Sequence, residues 1–209
     1  MIRYLVYEAR LALHPAIWLL PGFLAVLRLT GVIQPKSGGW LGFLEVMFPL
    51  LFPLLSFSLL AQEKNWNTLE VWASTPRRKA ISLLVRYLTV LFPLFSTAIA
   101  AIRPEDWLLL LAPGFLLGGF TLAVGLAVGE EVGLGAGLSW WGVSFILAIA
   151  RPEFLGHKAL SWLLFTLSSS SLSPQEELLR KWVQLGVGLL FLLLALEVAE
   201  RKRSWKTRE

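Results

Sequence analysis

Few residues in this sequence have both the type and the spacing that chemistry requires. Glu130 and Glu131 are adjacent carboxylates, which could relay protons or act in acid–base catalysis. No basic, nucleophilic or metal-binding residue lies near them in the sequence, so a solvated turn is the alternative. Cysteine is absent, which excludes disulfides and thiolate nucleophiles, and the two histidines, His14 and His157, lie far apart. We therefore expect no metal site and no cofactor bound by this chain.

A second set of polar residues follows the fifth apolar stretch of the chain. Its members carry carboxylate, imidazole or hydroxyl groups: Glu153, His157, Ser168, Ser169, Ser170, Ser171 and Glu176. A membrane enzyme acting on lipid-linked substrates would need such groups to converge at one membrane face. None of them has a spacing typical of a nucleophile and its base. This enzyme remains an alternative function, and we predict no catalytic residue.

Two adjacent tryptophans, Trp140 and Trp141, lie deeper in an apolar stretch than an interfacial aromatic belt requires, with Ser139 and Ser144 nearby. An indole has a broad apolar ring and one N–H donor. These four residues either line the path of an amphipathic substrate or pack inside a helical bundle.

The composition indicates a membrane protein. Hydrophobic residues make up 56% of the 209 positions, charged residues make up 16%, and the mean hydropathy is +0.67. About 20 apolar helical residues cross a bilayer, and open strands cannot satisfy their backbone groups in lipid. We therefore predict an all-α integral membrane protein with six transmembrane helices, as a single domain over 1–209. The predicted spans are Ala16–Ile33, Leu41–Ala61, Ile81–Ile102, Trp107–Val128, Val132–Ala150 and Trp182–Ala199.

Three segments outside the spans have distinct predicted structures. Residues 1–14 place apolar residues at helical spacing, which predicts an interfacial helix. Residues 151–181 form an outer re-entrant or interfacial segment, because their apolar part is too short to cross. Near the end of that segment, Ser173 is the predicted N-cap of a helix with Pro174 in its first position.

The distribution of Lys and Arg predicts the orientation. With six spans, both termini share one side with residues 62–80 and with a tight turn at 129–131. Eleven basic residues lie on that side: Arg3, Arg10, Lys64, Arg77, Arg78, Lys79, Arg201, Lys202, Arg203, Lys206 and Arg208. Six lie opposite: Lys36, Arg103, Arg151, Lys158, Arg180 and Lys181. The positive-inside rule then predicts a multi-pass protein of the cytoplasmic membrane with both termini cytoplasmic. Because these bases flank spans, we expect contacts with lipid headgroups and no nucleic-acid partner.

Glycines and prolines recur inside the predicted spans. Three GxxxG spacings join Gly114 to Gly118, Gly125 to Gly129, and Gly133 to Gly137. Small residues let helix backbones approach closely in lipid, so close packing and a substrate-lining role are the two interpretations. Four prolines inside three of the spans, Pro49, Pro53, Pro93 and Pro113, predict local kinks.

The polar segment 62–80 joins the second and third spans. Asn67 and Glu70 resemble a capping box that opens a short helix with Leu69 and Trp72 on one face. Pro76 ends that helix and suits the first turn of the next one. From these residues alone, the segment is either a simple interfacial turn or a short amphipathic helix able to transmit a displacement to the two spans that it joins.

The sequence EKNWNTLEVWASTPRRKAISLLVRY, residues 63–87, resembles the corresponding stretch of the type-2 ABC exporter permeases. That family has Glu, then Gly-Thr-Leu-Glu, an apolar pair, Ser-Thr-Pro or similar, and a base. The positions in register are Glu63, Thr68, Leu69, Glu70, Ser74, Thr75, Pro76 and Arg78, while Asn67 replaces the family's glycine. The predicted six-span topology is also similar to that of the family.

The resemblance implies an exporter subunit that pairs with a second permease, identical or related, and with two separate ATP-binding subunits. It assigns 62–80 as the coupling helix region, with Leu69 and Trp72 inserted into the ATPase and Glu63, Glu70 and Arg78 around them. The chain has no Gly-rich loop ending in Gly-Lys-Ser/Thr, so ATP and Mg would be bound by the partner. The expected cargo is amphipathic or hydrophobic. The chain's length is similar to that of the compact heme-exporter permeases, which remain an alternative subfamily.

Overall fold

The computed structural model describes residues 26, 38–65, 79–101, 107–150 and 173–206, and the regular structure in these ranges is helical. The five helices are α1 (Gly38–Asn65), α2 (Lys79–Ala101), α3 (Trp107–Ala127), α4 (Glu130–Ala150) and α5 (Pro174–Lys206). Three segments in them are long and apolar enough to cross a membrane: Leu44–Ala61, Trp107–Ala127 and Pro174–Arg201. The predicted all-helical membrane fold is confirmed at this level. The predicted segments 1–14 and 16–33, apart from helical Val26, lie outside the described residues.

Helix α3 is the centre of the bundle and contacts each of the other four helices. Twelve of its 21 residues are buried, so it is enclosed on most sides, as an apolar helix with small residues allows. The ring of Phe52 on α1 packs against Phe115 on α3 at a centroid distance of 5.7 Å. Gly114 makes room for that ring, because a side chain there would overlap it. Close packing at the centre therefore depends on glycine on one helix and an aromatic ring on the next.

Contacts between glycines and their neighbours give the relative directions of the helices. Gly188 of α5 lies against the backbone of Leu116, and Gly119 lies against Phe191, so residue numbers rise together and α3 and α5 run parallel. Leu60 near the end of α1 lies against Gly125 near the end of α3, which makes α1 parallel to both. Helices α2 and α4 run the opposite way: Ala80 of α2 contacts Glu200 while Tyr87 contacts Gly118, and Gly133 and Gly137 of α4 lie against Gly125 and Thr121.

One end of the bundle, here named the loop end, carries the end of α1, the start of α2, the α3–α4 turn and the Glu200 region of α5. The amide of Ala80 bonds a carboxylate oxygen of Glu200, which places those two termini together. These contacts place the two ends of the 66–78 connection, the α3–α4 turn and Glu200 at the same end of the bundle. The opposite end, where α1 and α5 begin, is named the far end.

The turn between α3 and α4 covers residues 128–129 and overlaps the predicted 129–131 turn only at Gly129, because Glu130 and Glu131 lie in the first turn of α4. Gly129 has φ of +146°, a backbone conformation that disfavours side chains, and α4 begins at the next residue. Gly133 then lies directly against the backbone of Gly125, and Gly137 lies against Thr121. Together with Gly114 and Gly118, these contacts show close helix packing at five of the six GxxxG glycines, whereas Gly129 forms the turn.

The outer surface of the bundle is apolar. Exposed large side chains follow α2, α4 and α5, among them Leu88, Phe92, Ile146, Leu190 and Leu193. In water such a surface would be unusual, whereas a lipid environment solvates it. Helices α1 and α3 run on through Pro49, Pro53 and Pro113.

Candidate functional site

The charged residues in the first turns of α5 face inward. Glu177, Arg180, Lys181 and Gln184 recur at i, i+3, i+4 and i+7, which places them on one face of the helix. Arg180, Lys181 and Gln184 have no exposed surface. On the other face, Leu178, Leu179 and Trp182 are more than half exposed. This inverted amphipathicity suits a helix surrounded by lipid, with its polar face turned to the protein interior.

These four residues and Glu45 of α1 are named the buried charge cluster. Arg180 Nη2 lies 2.5 Å from Glu177 Oε1, and Lys181 Nζ lies 3.7 Å from the same oxygen. Lys181 also interacts electrostatically with Glu45, which is 7% exposed near the start of α1. Two cations and two carboxylates are therefore gathered at the far end of the bundle. Their formal charges cancel, which lowers the cost of removing them from water.

The start of α5 is fixed by a reciprocal cap. The amide of Glu176 donates to Ser173 Oγ, and the amide of Ser173 donates to Glu176 Oε2, at 3.3 and 3.2 Å. This is the predicted N-cap, with Pro174 in the first position of the helix that carries Arg180 and Lys181. It also engages the carboxylate of Glu176, one of the candidates for membrane-enzyme chemistry.

Arg180 and Lys181 were predicted to flank a span and to contact lipid headgroups. That prediction of an exposed environment is wrong. Both are fully buried. Glu45, near the start of α1, is also buried. The reason is periodicity: the apolar run beginning at Trp182 sets the apparent start of the span, but the helix begins at Pro174 and turns its polar face inward. The i, i+3, i+4, i+7 spacing of Glu177, Arg180, Lys181 and Gln184 in the sequence could have predicted that these residues share one face of the helix.

A second polar contact lies at the loop end. The Ala80 amide donates to Glu200 Oε1 at 3.1 Å, across 120 positions of sequence. Ala80 lies in the first turn of α2, where no intrahelical acceptor is available to its N–H. The carboxylate satisfies that donor and also lies at the positive end of the helix dipole. Sequence reasoning missed this contact, because neither residue has a local pattern that predicts the other.

The proposed substrate-path residues lie in helix packing contacts. Trp141 Nε1 donates to the carbonyl of Val46 at 2.9 Å, and its ring stacks on Phe145. Trp140 packs edge-on against Phe120, with ring centroids 4.8 Å apart. Ser144 is buried and donates to the carbonyl of Trp140, whereas Ser139 is exposed. The contacts of Trp140, Trp141 and Ser144 are those that the packing interpretation describes.

The predicted coupling residues lie mostly beyond the described ranges. Glu63 falls in the last turn of α1, and its side chain is not described. Thr68, Leu69, Glu70, Trp72, Pro76 and Arg78 lie outside the described residues. The same holds for Glu153, His157 and the serines at 168–171. The structure does place both ends of the 66–78 connection, Asn65 and Lys79, at the loop end.

Other buried polar groups of the described bundle differ in their hydrogen bonding, and the buried Ser82 Oγ, Thr121 Oγ1 and Trp107 Nε1 have no hydrogen-bond partner. Ser56 donates to the carbonyl of Gly118 at 3.0 Å, and the hydroxyl of Tyr87 lies beside the same glycine. An open apolar groove of about 320 Å³ lies on the exposed face of α2, lined by Val85 and Phe92 among others. Within the described residues, no three His, Cys, Asp or Glu side chains gather as metal ligands would.

Comparisons with known proteins add no identification. Neither protein-family models, nor curated proteins, nor solved structures give a match to this chain.

Proposed function

We propose that this chain is the transmembrane permease subunit of an ATP-driven exporter that moves an amphipathic or hydrophobic cargo across the cytoplasmic membrane. One observation carries the proposal: residues 63–87 resemble the coupling segment of type-2 ABC exporter permeases, and this segment joins two packed helices at the loop end. The proposal includes six spans, with the two ends of the chain and the 62–80 segment in the cytoplasm.

The helices that flank the segment support a mechanical role for it. Helix α1 leads into the segment from the core of the bundle, where Phe52 and Leu59 are buried. Helix α2 leads out of it and is held to α5 through Ala80 and Glu200. A displacement of the segment would therefore act on three packed helices rather than on a free loop.

The proposal assigns ATP and Mg to a separate ATPase, because the sequence lacks a phosphate-binding loop. Two permease subunits, identical or related, would pair with two ATPases, and lipid would cover the apolar exterior. The heme-exporter type of permease remains within this proposal as a subfamily. The membrane enzyme remains the alternative, and most of its candidate residues, Glu153, His157 and the serines at 168–171, lie outside the described residues.

Purification from native membranes tests the proposal. The tagged full-length chain is extracted in mild detergent, and copurifying proteins are identified by mass spectrometry. We expect an ATPase with a phosphate-binding loop to copurify in near-equal amount and to account for all ATP hydrolysis. A chain that brings down no ATPase, or that hydrolyses ATP when purified free of other ATPases, contradicts the proposal. An apolar protein prepared identically is the control for nonspecific capture.

A further inference from the structure

The contact between Glu200 and the first turn of α2 links the last helix to the segment that precedes α2. Ala80 comes two residues after Arg78 and four after Pro76, so its amide is among the first groups fixed after the 66–78 connection. The acceptor is a single carboxylate oxygen on α5, 3.1 Å away. The position of the start of α2 therefore depends on a side chain that is distant in sequence.

Helix α5 extends from this contact to the opposite end of the bundle. Between Lys181 and Glu200 it spans roughly 30 Å, at about 1.5 Å per residue. About midway between them, Gly188 lies directly against the backbone of α3. A Cβ added at Gly188 would lie 2.6 Å from the amide nitrogen of Leu116, so α5 has little freedom to slide along α3. One rigid helix thus joins the loop end to the buried charge cluster.

We propose that Glu200 is a positioning residue that transmits movement of the 62–80 segment to α5, and through α5 to the buried charge cluster at the far end. This inference rests on the proposed function, because the movement it transmits is the one an attached ATPase would impose. A nearby carboxylate provides the contrast: Glu197 pairs with Arg201 on its own helix, and both side chains are more than half exposed.

The experiment compares Glu200→Ala, Glu200→Gln and Glu197→Ala in the full chain, reconstituted in lipid nanodiscs. Hydrogen exchange at the Ala80 amide reports the contact itself. We expect exchange to become about tenfold faster or more in Glu200→Ala, since a bond to a charged acceptor is lost. It should stay near the wild-type rate in Glu197→Ala. Gln keeps an oxygen acceptor, so Glu200→Gln should retain most of the protection. If Glu200→Ala does not fold, Glu200→Asp, which shortens the reach, takes its place.

The second measurement is ATP hydrolysis by the copurified ATPase, compared with the isolated ATPase. We expect Glu200→Ala to bind the ATPase but to lose at least half of the permease-dependent change in hydrolysis rate, while Glu200→Gln keeps it. Unchanged exchange at Ala80, or faster exchange with a wild-type hydrolysis response, overturns the inference. A wild-type chain that binds no ATPase overturns the proposed function instead, and the wild-type sample alone shows this.

Discussion

At the scale of single residues, the buried charge cluster is the most demanding feature of the molecule. Each ion removed from water costs several kcal/mol unless an opposite charge and hydrogen bonds replace the lost solvation. Glu177 supplies one oxygen to both Arg180 and Lys181, and Glu45 adds a second negative charge nearby. The cluster is therefore a unit in which no single charge can be removed cheaply.

Replacing Glu177 with alanine tests this dependence. We expect Glu177→Ala to lower the free energy of unfolding by about 3–5 kcal/mol, because two buried cations lose their shared partner. The measurement is reversible denaturation of the chain in detergent micelles, followed by tryptophan fluorescence.

Glu197→Ala is the matched control on the same helix. It breaks an ion pair of the same 2.5 Å length, but the Arg201 and Glu197 side chains are 76% and 55% exposed, so we expect a loss of only about 0.5 kcal/mol. Equal losses in the two variants would show that the buried cluster contributes no more than a surface pair.

At the scale of helices, the contact between α3 and α5 depends on glycines that the GxxxG pattern does not include. Gly119 faces Gly188, and an added Cβ at 188 would lie 2.6 to 2.7 Å from backbone atoms of Phe115 and Leu116. Backbone atoms cannot turn aside as a flexible side chain can. The two helices would have to separate to accept a methyl group.

Gly188→Ala should therefore destabilise the bundle by about 1–3 kcal/mol, the usual cost of overpacking. The nearby variant Gly186→Ala is the control, since an added Cβ there meets nothing within 4 Å. Alanine favours a helix by up to about 1 kcal/mol over glycine, so Gly186→Ala should be neutral or stabilising. Thermal unfolding in the same detergent measures both, and a Gly188→Ala variant as stable as Gly186→Ala would contradict the close contact.

At the scale of the whole molecule, hydropathy predicted most of the described helices. The predicted starts of α1 to α4 lie within three residues of the observed ones, because long apolar runs have few other stable forms in lipid. The start of α5 was placed at Trp182 as a span, and the helix begins at Pro174. A span predicted from apolar residues begins after the nearest charged residues. The helix itself can include those charged residues when one of its faces buries them. The cap at Ser173 did predict the true start.

The long-range contacts were not predictable from the sequence. Glu200 and Ala80, or Gly188 and Leu116, are paired only by the packing of distant helices, and no local spacing records which helix lies beside which. The tryptophan pair is a similar case. The sequence allowed Trp141 either to line a substrate path or to pack in the bundle, and it did not indicate that the indole donates to Val46 of α1. Sequence periodicity predicts which face is polar, and packing determines what that face contacts.

In the proposed function, the ATPase acts on the helical bundle through the 62–80 segment. A docked ATPase would bury Trp72, and a buried tryptophan anchor is worth roughly 2–4 kcal/mol at an interface. An exposed basic residue such as Lys79 would contribute well under that. Glu70→Gln keeps the ability to cap the segment's short helix and removes only the charge.

The most direct test is therefore ATPase binding by the full-length Trp72→Ala, Glu70→Gln and Lys79→Ala variants, measured by copurification, with thermal unfolding to confirm that each is folded. The account predicts that Trp72→Ala weakens binding about thirtyfold or more, equivalent to about 2 kcal/mol. Glu70→Gln should reduce binding or coupling, and Lys79→Ala should change either one little. If folded Trp72→Ala and Glu70→Gln both bind the ATPase and support its activity as the wild type does, the segment is only an interfacial turn, and the exporter assignment is contradicted.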